Sequence, residues 1–132
     1  MKKYIFLLLI LCSTSSLFSQ LIFKEPDWVG KAKEFVQKYY ANDFDYCYSQ
    51  FDTTVQKAMS KEQLKQAFDA TIERFGKFQE FGKTDLKTQG EYIITSTVVK
   101  HEKVKYAIQI SYGKNQKVHG FYFQPVNELA YL

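Results

Sequence analysis

The chain predicts an α+β fold, with helices packed on one face of a curved, four-stranded antiparallel sheet, and three observations point to it. Apolar residues up to Phe75 recur at three- and four-residue spacing, whereas from Lys77 onward the period changes to two. Gln89-Gly90 and Gly113-Lys114-Asn115-Gln116 break the second half where hairpins would turn. Helical stretches first and linked strands afterwards segregate into two layers.

Asp27 is placed to cap a helix running to about Ala41, in which Trp28, Ala32, Phe35, Val36 and Tyr39 form one apolar stripe. Gly30 weakens its first turn. Asn42-Asp43 supplies a second cap, after which Phe44, Cys47, Tyr48 and Phe51 resume the stripe, and Asp52 caps a further short turn through Val55 and Met59. The clearest helix follows Ser60, because Ser60-x-x-Gln63 is a capping box. Leu64, Ala67, Phe68, Thr71, Ile72 and Phe75 lie on one face of it, opposite Lys61, Glu62, Lys65, Asp69, Glu73 and Arg74. Gly76 ends it as a C-terminal cap.

Four extended segments follow: about Phe78 to Thr88, Glu91 to His101, Lys103 to Tyr112 and Val118 to Gln124. Val104, Tyr106, Ile108, Ile110 and Tyr112 alternate with polar residues, the pattern of an antiparallel strand with one covered face. A bulge between Phe78 and Thr88 would exchange the two faces of the first strand.

Met1 to Ser19 reads as a secretory signal peptide. Lys2 and Lys3 precede an apolar run from Tyr4 to Leu11, and Ser13-Thr14-Ser15-Ser16 leads to a cleavage region at Ser19-Gln20. A run of about eight apolar residues is well short of the roughly 20 that span a hydrocarbon core, so a retained membrane anchor is not expected. Leu11 is the wrong residue to precede a lipidated Cys12. Cleavage removes Cys12 and leaves Cys47 as the one thiol, which excludes an internal disulfide and suits a small buried apolar role. The mature chain is then expected in the periplasm or outside the cell, with residues 20–27 as an extension, 28–125 as one domain and 126–132 as a tail.

Removing the leader leaves about 113 residues, enough for one core and no second domain. Lys2 and Lys3 leave with it, so the 18 basic and 14 acidic residues become 16 and 14, and the charge falls from +4 to +2. Near-neutrality excludes a dedicated nucleic-acid binder.

Phe51-Asp52, the helix after Ser60, Phe75-Gly76-Lys77-Phe78, Gly90-x-Tyr92 and Gly120-Phe121-Tyr122-Phe123-Gln124-Pro125 together resemble an uncharacterised exported bacterial domain. That domain is of the nuclear transport factor two-like, or cystatin-like, cone-shaped superfamily, and the similarity covers about residues 28 to 125. Its members often sit before an α/β-hydrolase, but only seven residues follow Pro125, so no hydrolase activity carries over. The resemblance implies a shell with a pocket between sheet and helices, catalytic in some members and merely binding or packed shut in others.

Tyr92, Tyr106, Tyr112 and Tyr122 fall on the predicted strands and are the candidates for a pocket taking a small apolar or aromatic ligand, since a phenol joins a large ring to a hydroxyl. No catalytic residue is assigned. A cofactor-free isomerase or dehydratase is the competing class, in which Tyr92 or Tyr106 would work with a histidine or aspartate. Asp43 and Asp52 are better explained as caps, Asp45 as solvent-facing, His101 as a hairpin residue, and His119 as lying on the strand parity opposite to Tyr122. Two isolated histidines without H-x-x-x-H or C-x-x-C predict no metal site, and the absence of G-x-S-x-G, G-x-G-x-x-G and a phosphate-binding loop predicts no cofactor.

Lys100, Lys103, Lys105, Lys114 and Lys117 gather near the last two hairpins, where lysines ordinarily keep sheet edges soluble and could otherwise meet acidic polysaccharide or phospholipid headgroups. The face away from the helices is expected to hold Ile93, Thr95, Thr97 and Val99 beside Ala107, Gln109 and Ser111. It is sparsely charged and suits a homodimer, a protein partner or the Leu129-Ala130-Tyr131-Leu132 segment. Thr97→Arg is the substitution expected to break such an association without unfolding the monomer.

Overall fold

The computed structural model describes residues 25–126. The expected leader, Met1 to Ser19, and the Leu129–Leu132 segment lie outside them. Four helices, α1 (Trp28–Tyr40), α2 (Phe44–Gln50), α3 (Thr53–Ala58) and α4 (Lys61–Phe75), precede four strands, β1 (Phe78–Gln89), β2 (Tyr92–His101), β3 (Lys105–Tyr112) and β4 (Val118–Pro125). The strands pair in chain order, all antiparallel, in an open, curled sheet.

The helix starts follow from local chemistry. The Asp27 carboxylate accepts from the Gly30 N–H at 2.9 Å, and a Cβ at Gly30 would collide with that carboxylate, so the glycine that lowers helix propensity is what lets the cap fold back. Asp43 accepts from Tyr46 N–H and Asp52 from Thr54 N–H, as their positions predict. Ser60 and Gln63 satisfy each other's backbone N–H at 3.2 and 2.9 Å, the full capping box. Gly76 closes α4 at φ 85°, a left-handed conformation open to glycine at little cost.

The core lies between α1, α4 and the inner face of the sheet. Ala32, Phe35, Val36 and Tyr39 of α1 and Leu64 and Phe68 of α4 pack with Val99, Ile108, Ile110 and Val118. Phe51 forms an isolated parallel bridge with Val118, and the Asp52 N–H donates to the Val118 carbonyl at 2.8 Å, so the α2–α3 corner is stitched to the start of β4. Cys47 is fully buried, and burial pushes its thiol up to about 12, which removes thiolate chemistry at neutral pH.

The assignment of faces is corrected for β2. Ile93, Thr95, Thr97 and Val99 pair with Tyr112, Ile110, Ile108 and Tyr106, so they belong to the inner face, and Thr95, Thr97 and Val99 are buried there. Ala107, Gln109 and Ser111 do lie on the outer face, where their partners are Val98, Ser96 and Ile94. The register places the even-numbered residues of β2, Tyr92 included, outward, opposite to the face that holds Tyr106 and Tyr112. β1 could not have arbitrated: its register shifts twice, between Phe78 and Glu80 and between Phe81 and Thr84, so Phe78, Phe81 and Thr84 all pair with inner-face residues of β2 despite mixed parity. On the inner face Thr84 and Thr97 bond hydroxyl to hydroxyl at 3.0 Å.

Candidate functional site

The four tyrosines separate into two pairs. Tyr106 and Tyr112 are buried on the inner face, whereas Tyr92 and Tyr122 are 44% and 56% exposed. The separation defines two places where polar chemistry meets aromatic rings.

The inner place centres on His101, which the sequence puts at a hairpin and which is only 1% exposed. Its Nδ1 lies 2.8 Å from the Gly76 carbonyl, which can only accept, so Nδ1 carries a proton, and in that tautomer Nε2 is the acceptor. Nε2 is 2.7 Å from the Tyr40 hydroxyl and 3.0 Å from that of Tyr106, and the two hydroxyls are 2.7 Å apart. Three contacts share two phenolic hydrogens: one hydroxyl donates to Nε2 and the other donates to the first. Burial, reinforced by the Tyr106 bond, raises the Tyr40 hydroxyl far above its usual range, and burial pushes Tyr106 up to about 12 against the opposing bond from Tyr40. Both stay protonated at neutral pH.

This cluster closes the end of α4. Lys103 N–H donates to the Phe75 carbonyl, His101 Nδ1 to that of Gly76 and Glu102 N–H to that of Lys77, so three successive carbonyls of the turn are satisfied by the β2–β3 hairpin. Phe78 packs tilted against Tyr40 at 4.6 Å and Phe81 meets it edge-on at 5.8 Å, while Phe75 packs tilted against Tyr106 at 5.4 Å. Tyr112 is held by Trp28 at 5.3 Å. The hydroxyl of Tyr39 is buried without a hydrogen-bond partner, and its ring is surrounded by Phe44, Phe68, Phe121 and Phe123. Tyr39→Phe is therefore expected to raise unfolding free energy by about 1 kcal/mol in urea denaturation. A loss of that size would show instead that the hydroxyl holds a buried water.

The outer place is an open groove of about 460 Å³ beside β4, lined among others by Tyr92, His119, Tyr122, Ser111 and Thr54. His119 reaches it through a bulge: Ser111 pairs with Gly120 and Tyr112 with Val118, leaving His119 as the extra residue of β4. That bulge cancels the parity difference that separated His119 from Tyr122 in the sequence. Two glycines make room for the rings. A Cβ at Gly120 would lie 2.7 Å from the Tyr122 ring, and one at Gly113 would collide with the imidazole of His119. Tyr92 meets His119 at 5.7 Å between ring centres.

The imidazole is fixed from behind. The Asn115 amide donates to Asp52 at 3.0 Å, so its oxygen accepts from Lys117 N–H and, at 3.1 Å, from His119 Nε2. The Asp52 carboxyl, 3.7 Å from the same nitrogen, is held below its usual range chiefly by the Thr54 N–H, then by Asn115, with His119 contributing less. Asp52 is thus both a helix cap and an anchor for the β3–β4 turn. A third, smaller cleft of about 240 Å³ opens between α1 and β1–β2, walled by Val36, Gln37, Phe81 and Thr97, and none of the four tyrosines lines it.

Among the described residues no group of three or more His, Cys, Asp and Glu side chains could hold a metal ion, and no helix is long and apolar enough to cross a membrane. Fold and site together define a small α+β domain with an aromatic core and an aromatic-lined external groove. Residues 32–121 match the family described as a protein of unknown function, DUF3887, and the chain belongs to that family. No curated protein and no solved structure is significantly similar to it.

Proposed function

We propose that the protein is a non-catalytic ligand-binding or accessory domain whose site is the outer groove rather than the space between sheet and helices. The observation that supports this reading is the pair of glycine shelves, Gly113 and Gly120, which let His119 and Tyr122 lie against the backbone and present ring faces beside Tyr92. Exposed rings with hydroxyl, amide and carboxylate neighbours are what orient a small ligand. The inner rings, by contrast, are packed on one another, with neighbouring centres as close as 4.5 Å. In ligand-observed NMR, small phenols, indoles and sugars should compete for one site, and Tyr92→Ala/Tyr122→Ala should abolish their signals while leaving the thermal midpoint unchanged. Hits that survive the double substitution, or none at all, would sink the groove.

The competing enzyme reading draws on the Tyr40–His101–Tyr106 contacts. These groups already satisfy one another and the Gly76 carbonyl, a pattern that favours a structural part. We also propose that the domain belongs to the nuclear transport factor two-like superfamily, that residues 1–19 are removed on export, and that the mature protein works in the periplasm or beyond it. The mass of the protein recovered from its own cell envelope reports the cleavage. A homodimer would use the outer face through Ile94, Ser96, Val98 and Gln109, and equilibrium sedimentation showing monomer alone at high concentration would remove it.

A further inference from the structure

We infer that the groove takes a neutral, hydroxyl-rich chain, an oligosaccharide, laid across the Tyr92–His119 ridge; the inference rests on the groove reading above. The first observation is length. A second depression of about 270 Å³, bordered by Glu91, Lys114 and Asn115, shares Tyr92 and His119 with the groove, so the two hollows adjoin at a Tyr92–His119 ridge. A compact apolar ligand keeps much of its surface in water in an open groove with rings about half exposed, so it binds there more weakly than a longer chain. A chain of rings resting on successive aromatic faces suits that shape, since Tyr122 and Tyr92 offer apolar faces to the C–H side of a sugar while the rim meets its hydroxyls.

The second observation is charge. Among the described residues that line the two hollows, the basic ones have partners: Lys114 pairs with Glu91 at 3.3 Å, and His119 faces Asn115 and Asp52. A phosphate or an acidic polysaccharide would have to displace those contacts and would meet the Glu91 and Asp52 carboxylates. A neutral polyol needs no such displacement, and Thr54, Ser111, Asn115 and Glu91 supply both donors and acceptors to it.

The test is isothermal titration of the mature protein with neutral hexasaccharides of glucose and of N-acetylglucosamine, with the monosaccharides as controls. One of the hexasaccharides should bind at least about tenfold tighter than its monosaccharide, because both hollows are engaged. The affinity should be unmoved by salt raised to about 0.5 M. Tyr122→Ala and Tyr92→Ala should each weaken it by about tenfold, with far-UV circular dichroism and thermal midpoint retained. Small phenols that compete at the groove while neither hexasaccharide binds would overturn the oligosaccharide and leave the groove standing. Failure of both ligand classes would overturn the two together. Binding that falls steeply with salt, or that prefers an acidic chain, would also overturn the inference.

Discussion

Replacing His101 with alanine should lower the unfolding free energy by about 3 kcal/mol or more, a large part of the roughly 5–15 kcal/mol that holds a domain of this size together. The substitution leaves the Gly76 carbonyl without its donor and the Tyr40 and Tyr106 hydroxyls without their acceptor, where Tyr106 is buried and Tyr40 and Gly76 are half-buried. Each buried orphan costs about 1–3 kcal/mol. The imidazole also fills space against Tyr106, its stacking partner at 5.1 Å, and a cavity adds to the loss. Thermal unfolding should show a midpoint lower by on the order of 10–20 °C. His101→Asn is the informative control, since its amide can still donate toward Gly76 and should recover part of the deficit. Were His101→Ala as stable as the parent, the cluster would be held by contacts other than these hydrogen bonds, and its structural role would be refuted.

A paired substitution tests the faces of the sheet. Thr97 is 2% exposed on the inner face, whereas its neighbour Ser96 lies outward opposite Asp85 and Gln109. Thr97→Arg forces an unpaired cation toward the core beside Lys33, across the cleft that both residues border, and breaks the hydroxyl contact with Thr84. A loss of about 3 kcal/mol or more is expected, enough to unfold a marginal domain. Ser96→Arg should shift stability by no more than about 0.5 kcal/mol, because the outer face accepts a charge and Asp85 is at hand. Thr97→Arg therefore cannot serve as a clean probe of association through the sheet, and Ser96→Arg takes its place. Urea denaturation of both variants decides the matter: equal stabilities would mean that the β2 register described above is wrong.

Of the site, only half could be read from residue types. Tyrosines on strands marked out aromatic chemistry, but whether a ring faces inward depends on register, and Tyr92 and Tyr122 point away from the pair they resemble. His119 entered the groove through a bulge, for which Gly113 and Gly120 on either side were the sole signal. His101 was missed because its partner Tyr40 lies 61 residues away. Nothing in the residues around a hairpin histidine shows that a helix C-terminus will be docked on it.

The sequence by itself determined the parts whose energetics are local: the caps at Asp27, Asp43, Asp52 and Ser60, the stop at Gly76, and the change from helical to alternating periodicity that separates the two layers. These depend on side chains bonding to backbone groups a few residues away, or on the geometry of one element. The tertiary structure alone decided the strand faces, the bulge at His119 and the burial of His101. A strand has two equivalent sides until its neighbours choose one, and the irregular pairing of β1 and the docking of the β2–β3 hairpin onto α4 make that choice.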